Sequence, residues 1–180
     1  MTFDFNHIPA LDKNSGIAHV IIDTPKGSRN KFKFDEEKGI FKLKHILPEG
    51  MIFPYDFGFL PNTLTEDGDP MDVLVLLDAP TFSGCLIETR IIGVLEAQQT
   101  GKDGKTQRND RLIGVFAESK QHEHFRDLRD LPKALINEIG HFFRSYNQMR
   151  DIEFKILSHA GAKKALLLIQ KGEKAHRTGK

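Results

Sequence analysis

Residues 66–72, Glu-Asp-Gly-Asp-Pro-Met-Asp, carry four carboxylates in seven positions. Such charges repel one another unless a cation or solvent intervenes, and Gly68 with Pro70 fixes a tight turn that keeps them from spreading along a helix. Residues 73–77 (VLVLL) follow as an apolar strand, which anchors the turn at one end. A hard divalent cation is the natural counter-charge. Mg²⁺ takes oxygen ligands at about 2.1 Å, keeps several waters and is usually held by one or two carboxylates together with substrate phosphate. Mn²⁺ is the second candidate. The alternative left open by composition is an Asp-Gly turn whose charges face water, since both residues are common in turns. An EF-hand loop fits poorly, because its spacing asks for a ligand where Met71 stands and a glycine where Asp72 stands.

Basic residues form a separate group. Lys26, Arg29, Lys31 and Lys33 follow a first strand, and Gly27-Ser28 supplies a turn that could aim them at an anion. Taken singly, each is an ordinary exposed charge. Set against the acidic turn, they would make a site for a metal-bound, highly negative ligand, the pairing that polyphosphate chemistry requires. The totals conceal this division: 26 Lys and Arg stand against 25 Asp and Glu, a net charge of +1 that gives no reason to expect nucleic acid or an anionic membrane as partner. Residues 45–89 nevertheless contain no Lys or Arg and eight acidic residues, so that segment is −8 and the rest of the chain +9.

At 180 residues the chain reads as one domain over 1–172 with a small charged tail, 173–180, that would fray. With 39% hydrophobic and 28% charged residues, it is neither disordered nor collagen-like. The single Cys85 can form no intrachain disulfide and no cysteine-ligated zinc site, which fits a reducing cytoplasm; beside Gly84 and with no base nearby it reads as an inert thiol. No apolar run approaches the ~20 residues needed to span a bilayer, and residues 1–9 lack a signal-peptide pattern.

Strands are predicted over 17–23, 73–77, 86–96, 112–117 and 152–157, with a half-wet hairpin from 31–34 and 40–43. Residues 53–62 (FPYDFGFLPN), with two prolines and a glycine, read as an irregular buried segment packing aromatic rings. Residues 98–110 read as a flexible polar hairpin loop. A helix opens after Asp130 as N-cap, with Pro132 in its first turn and Leu135, Ile139, Phe142, Phe143 and Tyr146 on one face; a second helix covers 162–170. Short strands followed by two late helices predict a mainly β fold, a small curved barrel with the helices packed outside. His122 and His124 beside Glu123 read as exposed loop histidines rather than a metal site. His141 reads as structural or at a subunit contact.

The string DGDPMDVLVL (67–76), preceded by FGFLPNTLTE and by GSRNKFKFD (27–35), resembles the soluble family I inorganic pyrophosphatases, from about Ile17 through HFFRSY (141–146). That resemblance implies an OB-like five-stranded barrel with external helices, a Mg²⁺-dependent hydrolysis of diphosphate to two phosphates, a cytoplasmic home and a homo-oligomer, hexameric in most bacterial members. It implies Asp67 and Asp72 as metal ligands, Asp69 as the group orienting or deprotonating the attacking water, Lys31 as a phosphate-binding lysine and Tyr146 as a hydroxyl donor to phosphate. Arg111 falls on a lysine position and would carry charge on the leaving phosphate.

The sequence also departs from that pattern. Asp23 stands where a glutamate is usual, so a metal it holds would be bound through water, and His45 replaces a phosphate-binding arginine. Phe57 replaces a tyrosine, Lys33 a glutamate and Asn147 a lysine. Gln99 and Asn109 fall on two metal-binding aspartate positions; Asp103 or Asp110 is the candidate replacement after a one-residue shift, and Asp110 is favoured because it lies immediately before the next strand. Two readings follow: a divergent diphosphatase with a rebuilt second metal site, or a paralogue that lost hydrolysis and binds another phosphorylated ligand. The retained Asp67, Asp69, Asp72, Lys31 and Tyr146 favour the enzyme. A third class, an OB-type nucleic-acid binder, is opposed by the −8 segment and the absence of Trp.

Overall fold

A computed structural model of the chain describes residues 3–179. Met1 and Lys180, the ends of the leader and tail readings, lie outside the described residues. In chain order the elements are β1 (Ala18–Thr24), β2 (Asn30–Asp35), β3 (Ile40–Ile46), β4 (Asp56–Leu60), β5 (Met71–Leu76), β6 (Leu86–Thr100), β7 (Thr106–Arg108), β8 (Arg111–Phe116), α1 (Lys133–Gln148), β9 (Glu153–Gly161) and α2 (Ala162–Thr178). Strands β1, β4, β5, β8 and β6 pair in that order, and β6 pairs back onto β1. The result is a closed ring of five strands, an OB-like barrel, with β5–β8 its parallel contact. Closure removes the free edges an open sheet would leave.

The barrel has two apolar layers, and alternation along β5 shows why. Leu74 and Leu76 pack with Phe57, Ile113 and Phe143 of α1, whereas Val73 and Val75 pack with Val20, Ile22, Val94 and Leu112. Ala165 and Ile169 join α2 to that second layer. Successive side chains point to opposite faces of a strand. A strand buried on both faces therefore reads as the unbroken apolar run seen in residues 73–77.

Three sequence expectations change. Residues 56–60 are a regular, wholly buried strand rather than irregular chain, because Pro54 and Pro61 bracket β4 instead of interrupting it. Residues 98–110 form a hairpin that is mostly ladder: Gln98, Gln99 and Thr100 pair with Arg108, Gln107 and Thr106, leaving only residues 101–105 as the turn. Asp130 does not cap α1. It closes a capping box with Asp127 around the 3-10 turn Leu128–Asp130, and α1 starts after Pro132 without a side-chain cap. In addition, α2 continues beyond Gly172 to Thr178, where the tail was expected to fray, and the Gly172 carbonyl accepts from Leu64 N–H at 3.1 Å.

Candidate active site

A cavity of about 430 Å³ opens between β1, β2, the turn before β5, the start of β8 and the end of α1, and Asp23, Lys31, Asp67, Asp69, Asp72, Arg111 and Tyr146 all line it. Residues as far as 123 positions apart in sequence, Asp23 and Tyr146, thus share one site.

Each side chain is delivered by a local feature. The acidic turn is fastened by Thr65, whose hydroxyl lies 2.5 Å from Asp67 Oδ1 and 2.8 Å from the Asp69 carbonyl and shares its one proton between these acceptors. Gly68 turns the chain at φ 83°, a left-handed conformation that a side chain would disfavour. Asp72 is the second residue of β5. Asp23 sits where the β1–β4 register shifts between Ile22 and Thr24, and such a bulge re-aims a side chain. On β2, Lys31, Lys33 and Asp35 fall on one face by strand alternation, and all three line the cavity.

The carboxylates are already paired. Lys31 Nζ donates to both oxygens of Asp23, at 2.7 and 2.8 Å, and lies 4.2 Å from the Phe57 ring centroid. Lys33 Nζ donates to Asp69 Oδ1 at 2.5 Å. Arg111 reaches Asp72 Oδ2 at 2.7 Å and also donates to the Asn109 side-chain carbonyl. Asn109 in turn donates through Nδ2 to Asp67 Oδ2 at 3.2 Å. Burial pushes the carboxyl groups of Asp23 and Asp72 upward, against the pull of Lys31 and Arg111 respectively. One donor is unmatched: Arg111 is buried, yet its Nε has no hydrogen-bond partner. The guanidinium as a whole, at the cavity wall, suits an incoming oxyanion.

Tyr146 lies on the cavity side of α1, and burial raises its phenol to about 12, so the hydroxyl stays protonated near neutral pH. His45 does not line the cavity, contrary to its expected role on substrate. Its Nε2 meets Tyr146 Oη at 2.6 Å, and burial, then the charges of Arg150 and Lys44, bring the imidazole down to about 4. A neutral His45 is thus bonded to the tyrosine and set back from the cavity.

Asp110 is the second correction. Its Oδ1 accepts from Ala97 N–H at 2.8 Å and its Oδ2 from Arg108 at 3.1 Å, so it braces the β6–β7 hairpin outside the cavity, while Gln99 and Asn109 face inward. Asp23, read as a ligand through water, has both oxygens on Lys31. Asn147 is buried, uncharged and bonded to the Phe143 carbonyl. Sequence reasoning missed Lys44 and Arg150, which also line the cavity; Lys33, read as part of the basic group, lines it too, whereas Lys26 and Arg29 do not. Arg150 follows Tyr146 by four residues, a helical spacing that could have found it. His122 and His124 pack on Phe125, with ring centroids 5.9 and 4.0 Å apart.

Among the described residues no three His, Cys, Asp or Glu side chains are placed to hold a metal ion together. The hard oxygens of Asp67 and Asp72, with the Gln99 amide on the same wall, suit Mg²⁺, which needs only one or two carboxylates and otherwise keeps water. Zn²⁺, which takes three or four nitrogen or sulfur ligands, finds none of them here.

Comparison with known proteins points the same way. A family model described as inorganic pyrophosphatase matches residues 20–177. An inorganic pyrophosphatase of Geobacillus stearothermophilus is 40% identical over 153 residues, covering 85% of this chain and 90% of its own. One from Synechocystis is 37% identical over 167 residues, covering 93% and 95%. The crystal structure of the inorganic pyrophosphatase from Thermus thermophilus superposes with a TM-score of 0.86 at 32% identity, over 96% of this chain and 98% of that one. That from Neisseria gonorrhoeae gives 0.87 at 31%, over 97% and 99%.

Proposed function

The chain belongs to the inorganic pyrophosphatase family, and from that premise we propose that it hydrolyses diphosphate to two phosphates, using Mg²⁺ as cofactor and water as nucleophile. The observation that carries the reading is the convergence of the acidic turn, Lys31, Arg111 and Tyr146 on one cavity.

Asp67 would hold the ion, joined by the Asp72 oxygen that Arg111 leaves free. When bound, it supplies a Lewis acid that lowers the pKa of a coordinated water and neutralises phosphoryl oxygens. The chain's own groups do the rest. Asp69 has Oδ1 fixed by Lys33, and its Oδ2 accepts from no described residue, leaving one oxygen to orient and deprotonate a water in the cavity. Arg111 would carry charge on the departing phosphate from the cavity wall, and its guanidinium lies over Phe57, Phe143 and Phe154, at 5.9, 5.3 and 5.6 Å from their ring centroids. This apolar floor fixes the cation and keeps water from its far side, where a preorganised charge is worth more than in bulk solvent. Lys31 adds a second fixed cation. Tyr146, protonated and held by His45, donates to a phosphate oxygen when the imidazole keeps its proton on Nε2.

A homo-oligomer and a cytoplasmic location belong to the same proposal. The described helices include none long and apolar enough to cross a membrane.

The test compares phosphate release from Mg-diphosphate by wild type and Asp69→Asn. Removing a general base costs about 10²–10⁴-fold in rate. Asp69 has a side chain 48% exposed, so the variant should keep its fold and melting temperature. Unchanged release from Asp69→Asn would remove Asp69 from the base role.

A further inference from the structure

We infer that Lys33 stands in for a divalent cation at Asp69, so that the cavity keeps one principal cation site, centred on Asp67. The inference rests on reading the site as a metal-dependent diphosphatase, and it specifies how much metal that site takes up.

Seven carboxylates line the cavity, and four are matched by a cation of the chain: Asp23 by Lys31 at 2.7 Å, Asp35 by Lys42 at 2.8 Å, Asp69 by Lys33 at 2.5 Å and Asp72 by Arg111 at 2.7 Å. Of the three aspartates in residues 67–72, Asp67 alone has only neutral partners among the described residues: the Thr65 hydroxyl, the Asp69 backbone N–H and the Asn109 amide. The uncompensated charge of that turn is therefore one, and it sits on Asp67. Asn109 turns its Nδ2 to Asp67 and its oxygen to Arg111, and the Gln99 amide on the same cavity wall brings no charge, so neither adds much to the attraction for a second ion.

Lys33 is held at Asp69 by the architecture and not by chance encounter. Strand register places Lys33 directly opposite Lys42 on β3, a like-charge pair that disfavours leaving both ammonium groups side by side. The two diverge: Lys42 turns to Asp35 at 2.8 Å, and Lys33 turns into the cavity to Asp69. Lys44, also on the cavity wall, is pushed down by burial and then by the Lys33 charge, which shows how closely that charge is felt. A second divalent cation at Asp69 must displace the Lys33 ammonium from Oδ1 or bind Oδ2 against the like charge of that ammonium. Lys33 is thus a positioning residue. It holds one oxygen of Asp69 and leaves the other to water, without itself activating that water.

The test counts Mn²⁺ bound by the full chain without diphosphate, by equilibrium dialysis and by the electron paramagnetic resonance signal of free Mn²⁺. Wild type should bind one Mn²⁺ tightly per chain, and Asp67→Asn should lose it. Lys33→Glu should gain a second, with affinity at least about tenfold above any second site of wild type, and the uncharged Lys33→Met should fall between. Lys42→Met, outside the Asp69 contact, should match wild type. Two tight ions in wild type, or a folded Lys33→Glu that binds no more and no tighter than wild type, would overturn the inference. Phosphate release by wild type is measured separately. Its absence would refute the diphosphatase reading, whereas the Mn²⁺ count alone decides the role of Lys33.

Discussion

His45 and Tyr146 share one hydrogen bond, and the protonation of each is set by burial. With its folded value near 4 and an unfolded value of about 6.5, His45 is neutral in the native chain where the unfolded chain would take a proton. Stability is then undiminished by this group above about pH 6.5 and falls as pH drops toward 4, because the unfolded state binds the extra proton. Urea midpoints should therefore decline more steeply between pH 6.5 and 4 for wild type than for His45→Gln, which has no titrating ring. Equal slopes would show that His45 is not held neutral. Tyr146→Phe removes the hydroxyl while keeping the ring packed on Phe53 and Phe142, so it should lower phosphate release by about tenfold with little loss of stability. Residue identity was the most legible level of the site: Asp67, Asp69, Asp72, Lys31, Arg111 and Tyr146 converge as read. Asp110 was misplaced because two neighbouring polar residues on a strand end point opposite ways, and sequence does not say which one faces the cavity. His45 was misread because its partner lies 101 residues away.

Strands place these residues through contacts too close for side chains. A Cβ at Gly58 would lie 2.2 Å from the Ile21 carbonyl oxygen, within the β1–β4 pairing that carries Asp23. Backbone cannot yield as a side-chain tip does, so Gly58→Ala should cost about 3 kcal/mol in urea unfolding, the upper range for overpacking a core. A loss under about 0.5 kcal/mol would mean that the two strands separate freely. The same glycine explains why β4 was hard to see in the sequence. Gly and Pro usually mark breaks, yet here the prolines delimit a strand and the glycine permits its closest approach. Period-two alternation in β2 was legible as a hairpin, and it also carried the information that Lys31 and Lys33 share a face. The 98–110 segment looked like loop because its ladder pairs polar residues, whose composition gives no burial signal.

For the whole molecule, the near-neutral total is the sum of two opposed halves of one site. Asp67, Asp69 and Asp72 come from the −8 segment, while Lys31, Lys33, Lys44, Arg111 and Arg150 come from the basic remainder, and the closed barrel brings them to one cavity. Segregation of charge was visible in the sequence. The pairings Lys33–Asp69 and Arg111–Asp72 were not, since they depend on which strands are neighbours in the ring. The central claim is that this arrangement hydrolyses diphosphate. The most direct measurement is phosphate release by the wild-type chain from diphosphate, with Mg²⁺ and separately with Mn²⁺. The account predicts metal-dependent turnover giving two phosphates for each diphosphate consumed. A folded wild-type chain that releases none with either ion would contradict it.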